Sequence, residues 1–310
     1  MSMNSRQAQV IDPILSTQAR GYTNLEFIGA RILPFADIPN RSMLVIRFGK
    51  DAFRRYLDTR RAPGGETKRI QFGFGSDPVA LKQEALEALV PDEIRGDARV
   101  PGIDLASVSI NATQDIIGLG REVEIAQMVR NPATYGNRNK TALSGSDKWT
   151  NPDSDPAVDV REAREAVRRS IGRYPNVLAI GPDVFNALCE HPKIRERFKY
   201  TSSDSITEAM LARYFSLDEV IVGKAVALPD TASDTDLADD VWGKDAILFY
   251  RAGSNFLVPA FGYTYRLSGY PLVEQPYYER NRKSWVYPLT EEYRPYVTGA
   301  EGGFLFQGAA

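Results

Sequence analysis

The spacing of hydrophobic positions changes several times along this chain, and the changes mark out its parts. Residues 1–40 carry scattered apolar positions interrupted by Pro13, Pro34 and Pro39, with no sustained period. That pattern predicts an extended arm that gains order by lying on something else. SMLVIRF, residues 42–48, reads as a strand, and KRIQFGF, residues 68–74, alternates Ile70, Phe72 and Phe74 with polar or small positions. Two such runs flanking APGG predict a long hairpin. SDPVALKQEALEALVPDEI is compatible with a helix up to Pro91, with Ser76 or Asp77 as its cap and Pro78 in its first turn.

Residues 104–130 hold the longest periodic run. Leu105, Val108, Ala112, Ile116, Leu119, Val123, Ala126 and Val129 or Arg130 step by three or four, which predicts one helix with a single apolar stripe. At 1.5 Å per residue it would extend about 40 Å. Gly118 and Gly120 each weaken such a helix by about 1 kcal/mol relative to Ala, so packing along its length has to hold it. Residues 131–153 are polar and turn-rich, with Trp149 as their large apolar anchor.

From 156 the spacing alternates between helix and strand. Val160, Ala163, Val167 and Ile171 define a helix ending at Gly172; YPNVLAIG is a buried strand; GPDVFNALCEHPKIRERF is helical around a break at Pro192. SITEAMLARYF is a further helix starting near Ser205 or Thr207, and EVIVGKAVAL and AILFYRA are two more strands. This predicts one compact α/β or α+β module over residues 156–252. Beyond 256 the chain is rich in Tyr and Phe, with period two at Ser284, Trp285, Val286 and Tyr287. These β segments are expected to return and pack on the helix of 104–130.

Composition narrows the chemistry. At 310 residues with 43% hydrophobic and 25% charged positions, the chain has the make-up of a folded protein with one large or two moderate cores. No apolar run approaches the roughly 18–20 residues that span a bilayer, and the N-terminus lacks the layout of a signal peptide. A product that starts in the cytoplasm and makes no membrane contact is expected. The one cysteine, Cys189, has no disulfide partner, and the one histidine, His191, excludes His/Cys zinc sites and schemes needing two imidazoles. Spaced i and i+2, the two point to different faces of a helix. There is no G-x-S-x-G elbow. GFGSDP, residues 73–78, lacks both the GK[ST] ending of a phosphate loop and the third glycine of a dinucleotide fingerprint. No cofactor is expected.

A net charge of −2 argues against a dedicated nucleic-acid binder, but the charge is unevenly spread. Residues 41–70 hold nine Arg and Lys against three acids, a local balance of +6 that includes Arg47, Arg54, Arg55, Arg60, Arg61, Lys68 and Arg69. With Phe53 and Tyr56 between them, these would grip nucleic acid or meet an acidic face on a neighbouring copy. Residues 228–245 hold six aspartates, Asp234, Asp236 and Asp239 among them, against Lys244 alone; a solvated loop is the plain reading. WTNPDSDPAVDV, residues 149–160, gathers Asp153, Asp155 and Asp159. It lacks the glycine and terminal glutamate of a calcium loop. Asp155 followed by Pro156 is instead a helix N-cap with proline at the first helical position, and Asp159 sits near the positive end of the helix dipole. The stretch therefore reads as a domain boundary pinned by Trp149. A hydrolase built on Asp153 and Asp155 remains as an alternative, although acids two apart beside a proline are poorly placed to flank a sugar.

The run WTNPDSDPAVDVREAREAV…GRYPNVLAIGPDVFNALCEHPKIRERFKYT…VIVGKAV…VWGKDAILFY resembles the major capsid proteins of tailed bacteriophages, the Hong Kong 97 fold, in the branch of the Mu-like phages. Trp149, Pro175-Asn176, His191-Pro192, Lys199-Tyr200-Thr201, Gly223 and Trp242-Gly243-Lys244 carry the resemblance, which is strong over about 149–252 and elsewhere lies in the order of parts. It implies an α+β capsid fold with an N-terminal arm (1–40), an extended loop laid over an adjacent subunit (41–75) and a peripheral domain with a spine helix (76–153, helix 104–130). An axial domain (154–255) and a return to the peripheral domain (256–310) would follow. It further implies a structural protein, not an enzyme, whose pentamers and hexamers form an icosahedral shell around double-stranded DNA bound without sequence specificity. A virion protein assembled in the host cytoplasm, with portal and decoration proteins as partners, is then expected. Met1 favours a scaffold on a separate chain. The acidic 230–240 would lie near a local symmetry axis.

Overall fold

The structure, a computed structural model, describes residues 11–47, 60–61, 63–67, 75–98, 104–199, 205–233, 235–253 and 260–310. The arm supplies α1 (Pro13–Gly21), α2 (Gly29–Ile32) and β1 (Phe35–Ile38). Next come β2 (Ser42–Arg47), β3 (Gly75–Ala80), β4 (Lys82–Pro91), α3 (Asp92–Ala98) and α4 (Leu105–Arg130). After β5 (Lys140–Ala142), helices α5 (Pro156–Ile171), α6 (Pro182–Glu190), α7 (Pro192–Phe198) and α8 (Glu208–Phe215) are interleaved with strand β6 (Val177–Ile180). Strands β7 (Glu219–Val222), β8 (Val226–Ala227), β9 (Asp239–Asp240) and β10 (Ala246–Phe249) follow. The chain finishes with β11 (Tyr263–Leu267), β12 (Leu272–Val273), β13 (Tyr277–Glu279), β14 (Ser284–Tyr296) and β15 (Gly303–Gln307).

One sheet has the order β1-β11-β14-β12, with β13 and β4 also paired to β14. Helix α4 lies on this sheet. Ile110 and Ile117 enter a core with Val90, Val273, Tyr287, Leu289 and Tyr293, and Arg121–Glu291 at 2.8 Å and Arg294–Glu124 at 3.1 Å tie helix to strand. Residues 263–296 do therefore return to the long helix. The second sheet has the order β5-β15-β10-β6-β7. Its central strands β6 and β10 are buried at every position, because both faces are covered. Alternate residues point to opposite sides: Leu178, Ile180 and Leu248 meet Val160, Val167, Leu188, Leu211 and Phe215 of the helices. Val177, Ala179 and Ile247 meet Ile28, Ile32 and Leu33 of the arm and Ile125 and Val129 of α4.

Four expectations change. The segment 76–91 is two strands, not a capped helix. Its residues are good helix formers, but β4 runs antiparallel to β14 from Lys82↔Tyr293 to Pro91↔Ser284, and long-range pairing overrides intrinsic propensity. The hairpin base is accordingly β2 with β3, in register from Ser42↔Ala80 to Arg47↔Gly75; the expected strand at 68–74 lies outside the described residues. The buried side of α4 is Ile110, Thr113, Ile117, Glu122, Ile125, Ala126 and Val129, while Val108 and Ile116 are 54% and 63% exposed. The first half of this helix carries two apolar arcs, and the sheet takes the one through Ile110 and Ile117, which the single expected stripe left out. The arm is not merely extended: Asp12 caps α1 ahead of Pro13, and β1 pairs parallel to β11. Finally, residues 303–307 do not stay with the first sheet; β15 pairs with β10 and β5 in the second.

Candidate functional site

At the module boundary, the Asp155 side chain accepts from the Val158 N–H, and Pro156 opens α5. Lys193 lies 3.4 Å from the Asp155 carboxylate. Partial burial pushes that carboxyl up, but the backbone bond from Val158 and the Lys193 charge outweigh it and leave it below its ordinary value. Trp149 is fully buried, its indole N–H donating to Asp159 at 2.9 Å. Burial raises the Asp159 carboxyl despite that bond. His191 is also buried. Its Nε2 faces the Asn151 carbonyl at 3.1 Å and Ser154 Oγ at 3.2 Å, while Cys189 Sγ contacts the Ile206 carbonyl at 3.7 Å. The two side chains serve different loops and make no catalytic pair.

A second constellation, unread in the sequence, sits where arm, long helix and module meet. Glu122 of α4 is buried. Its Oε1 accepts from the Ile28 N–H and the Trp242 indole N–H, both at 2.8 Å, and its Oε2 from the Gly29 N–H at 2.7 Å. Burial raises its carboxyl above the ordinary value, and the three donors hold that rise back. Trp242 stacks so close to Gly223 that a Cβ there would overlap its ring. Gly243 adopts φ +51° beneath the Arg130 guanidinium, which binds Asp245 and the Val241 carbonyl, each at 2.8 Å. Asn176 closes the other end of the module: its amide binds both the N–H and the carbonyl of Arg251, at 2.8 and 3.1 Å. The only sequence hint of Glu122 was an acid placed between Gly118 and Ala126 on an otherwise apolar face.

The charged surface candidates divide. Arg60 and Arg61 are exposed, as are Asp236 and Asp239. Arg54, Arg55, Lys68, Arg69 and Asp234 lie outside the described residues, as does the side chain of Arg47. Asp239 belongs to a two-stranded ribbon in which Val226 faces Asp240 and Ala227 faces Asp239. Within one chain, no ion pair joins the basic set to the acidic set among the described residues. No group of three or more His, Cys, Asp or Glu there is arranged to hold a metal. Among the described residues, no helix is long and apolar enough to cross a membrane.

Buried side chains thus stitch the elements together, while Arg60, Arg61, Asp236 and Asp239 stay exposed. Residues 132–264 match the family model described as Phage major capsid protein E. Over 306 residues the chain is 31% identical to a major capsid protein of Burkholderia phage BcepMu, covering 97% of each. The chain belongs to the phage major capsid proteins. A solved phage-related protein from Bordetella bronchiseptica RB50 is 42% identical, with TM-score 0.84 over 98% of this chain and 99% of that one. The capsid of cyanophage P-SCSP1u, 10% identical, shares the fold alone, with TM-score 0.56 over 89% and 86%. This major capsid protein is thus a structural component of the virion shell, with the Hong Kong 97-like α+β fold, and not an enzyme. Neither the hydrolase nor the nucleic-acid reading finds support. Trp149, Asn176, His191, Gly223 and Trp242 are the positions at which the module is stitched together internally.

Proposed function

We propose that many copies of this capsid protein associate as pentamers and hexamers into an icosahedral shell that encloses double-stranded DNA without reading its sequence. Assembly takes place in the host cytoplasm, guided by a scaffold on a separate chain, with portal and decoration proteins completing the particle. In this reading residues 1–40 are the arm, 41–75 the loop laid on a neighbour, 76–153 the peripheral domain and 154–255 the axial domain. Residues 256–296 complete the peripheral domain, and β15 completes the axial sheet.

The observation that carries the proposal is the hairpin base. Among the described residues β2 and β3 pair with each other alone, and the exposed Arg60 and Arg61 belong to the basic stretch strung between them. A sequence stretch so strongly charged is poorly suited to a core and well suited to steering and registering a partner. Exposed Ile14, Leu25, Val108 and Ile116 likewise leave apolar area for neighbours to cover. Negative-stain microscopy of the protein expressed with its phage's scaffold tests the reading. Closed particles tens of nanometres wide are expected. Deleting 52–67 should abolish them while a folded subunit remains by circular dichroism. Particles that form equally well without the hairpin would overturn it.

A further inference from the structure

We propose that the acidic ribbon of residues 226–240 on one copy docks into a groove between α5, α7 and α8 on the next, joining copies head to tail into a ring. This rests on the shell reading above and names the surfaces within it. From 226 to 240 the sequence contains aspartates and no Lys or Arg. Asp230, Asp239 and Asp240 are exposed and lack an ion-pair partner among the described residues. Apolar side chains stand out beside them: Leu237 is 92% exposed, Val226 50% and Leu228 46%. A leucine held in water in the loop of a two-stranded ribbon, with acids around it, is an anchor awaiting a pocket.

The matching concavity has a volume of about 420 Å³ and is walled by Ala157, Val158 and Tyr214. Arg161, Lys193 and Arg197 rim it, with Asp155 and Glu196. Lys193 and the helix cap already engage Asp155, whereas Arg161 and Arg197 have no ion-pair partner among the described residues. The Leu237 side chain fits the apolar wall, and Asp236, Asp239 and Asp240 fit the cations. Position then decides the symmetry. The ribbon is rooted by Ala225, Ala227, Val241 and Trp242 on the α4 side of the second sheet. The groove helices cover the opposite face. Two complementary patches on opposite faces of one sheet cannot pair isologously; they meet head to tail, the kind of contact that makes a ring when its rotation closes.

The test is a charge exchange in the full-length protein expressed with scaffold. Asp239→Lys with Asp240→Lys, and separately Arg161→Glu with Arg197→Glu, should each lower the yield of closed particles by more than about tenfold. Subunits should stay folded, since all four positions are exposed. Leu237→Ser should act in the same direction. Carrying both reversals in one chain should restore particles to within about threefold of the unaltered protein. Reversals that leave the yield unchanged, or a combination no better than either alone, would refute the docking while leaving the shell reading intact. Absence of particles from the unaltered protein would refute the shell reading itself.

Discussion

Glu122 binds the N–H groups of Ile28 and Gly29 and the indole of Trp242, so one side chain on α4 joins the N-terminal segment to the second sheet's core. A buried acceptor set of this kind is expensive to disturb. Glu122→Gln keeps the shape but turns an amide NH2 toward donors, which should destabilise the subunit by about 1–3 kcal/mol. The pH dependence has a definite sign. Because burial holds the Glu122 carboxyl above its ordinary value, its protonation stabilises the fold; that contribution is complete below the ordinary glutamate range and is lost as pH rises through the raised value. The advantage of the unaltered protein over Glu122→Gln should therefore be largest at acidic pH and narrow toward neutrality, read by urea unfolding with tryptophan fluorescence between pH 4 and 7.5. A gap that widens with pH would show instead that the junction favours the ionised form.

Single elements were legible to different degrees, for physical reasons. Helix α5 announced itself because its apolar spacing, its Asp155-Pro156 start and its basic last turn all agree. Strand β6 was readable because an apolar run between Pro175 and Gly181 fits a doubly covered strand. The β4 segment was not, since KQEALEAL carries a helical pattern and its strand state depends on β14, some two hundred positions later. Glu122 stayed hidden because its value lies in donors from two distant segments. A consequence follows for β4: a synthetic peptide of residues 80–91 should gain helix, not sheet, as trifluoroethanol is added in a circular dichroism titration. A β signal from the isolated peptide would mean that its strand state is local after all.

Across the whole molecule, the parts drawn from the order of the sequence hold together through contacts that cross between them. Arg121 and Glu124 bind helix to the first sheet; Arg130 binds it to the Asp245 end of the second; Glu219 takes both Arg31 of the arm and Arg251. The arm is thereby part of each subunit's own fold as well as a candidate bridge to another. Strand β15 does the same over a longer span. Phe304 and Phe306 enter the helical core while Leu305 enters the other, and the strand covers the edge of β10. On the ribosome, β10 can pair with β6, but its other edge must wait unpaired until residues 303–307 have been translated. A chain that stops at Gly302 should display its apolar interior, be clipped by protease at once, and be missing from particles made alongside intact chains. The shell would then admit only chains that carry the closing strand, with β15 serving as their credential.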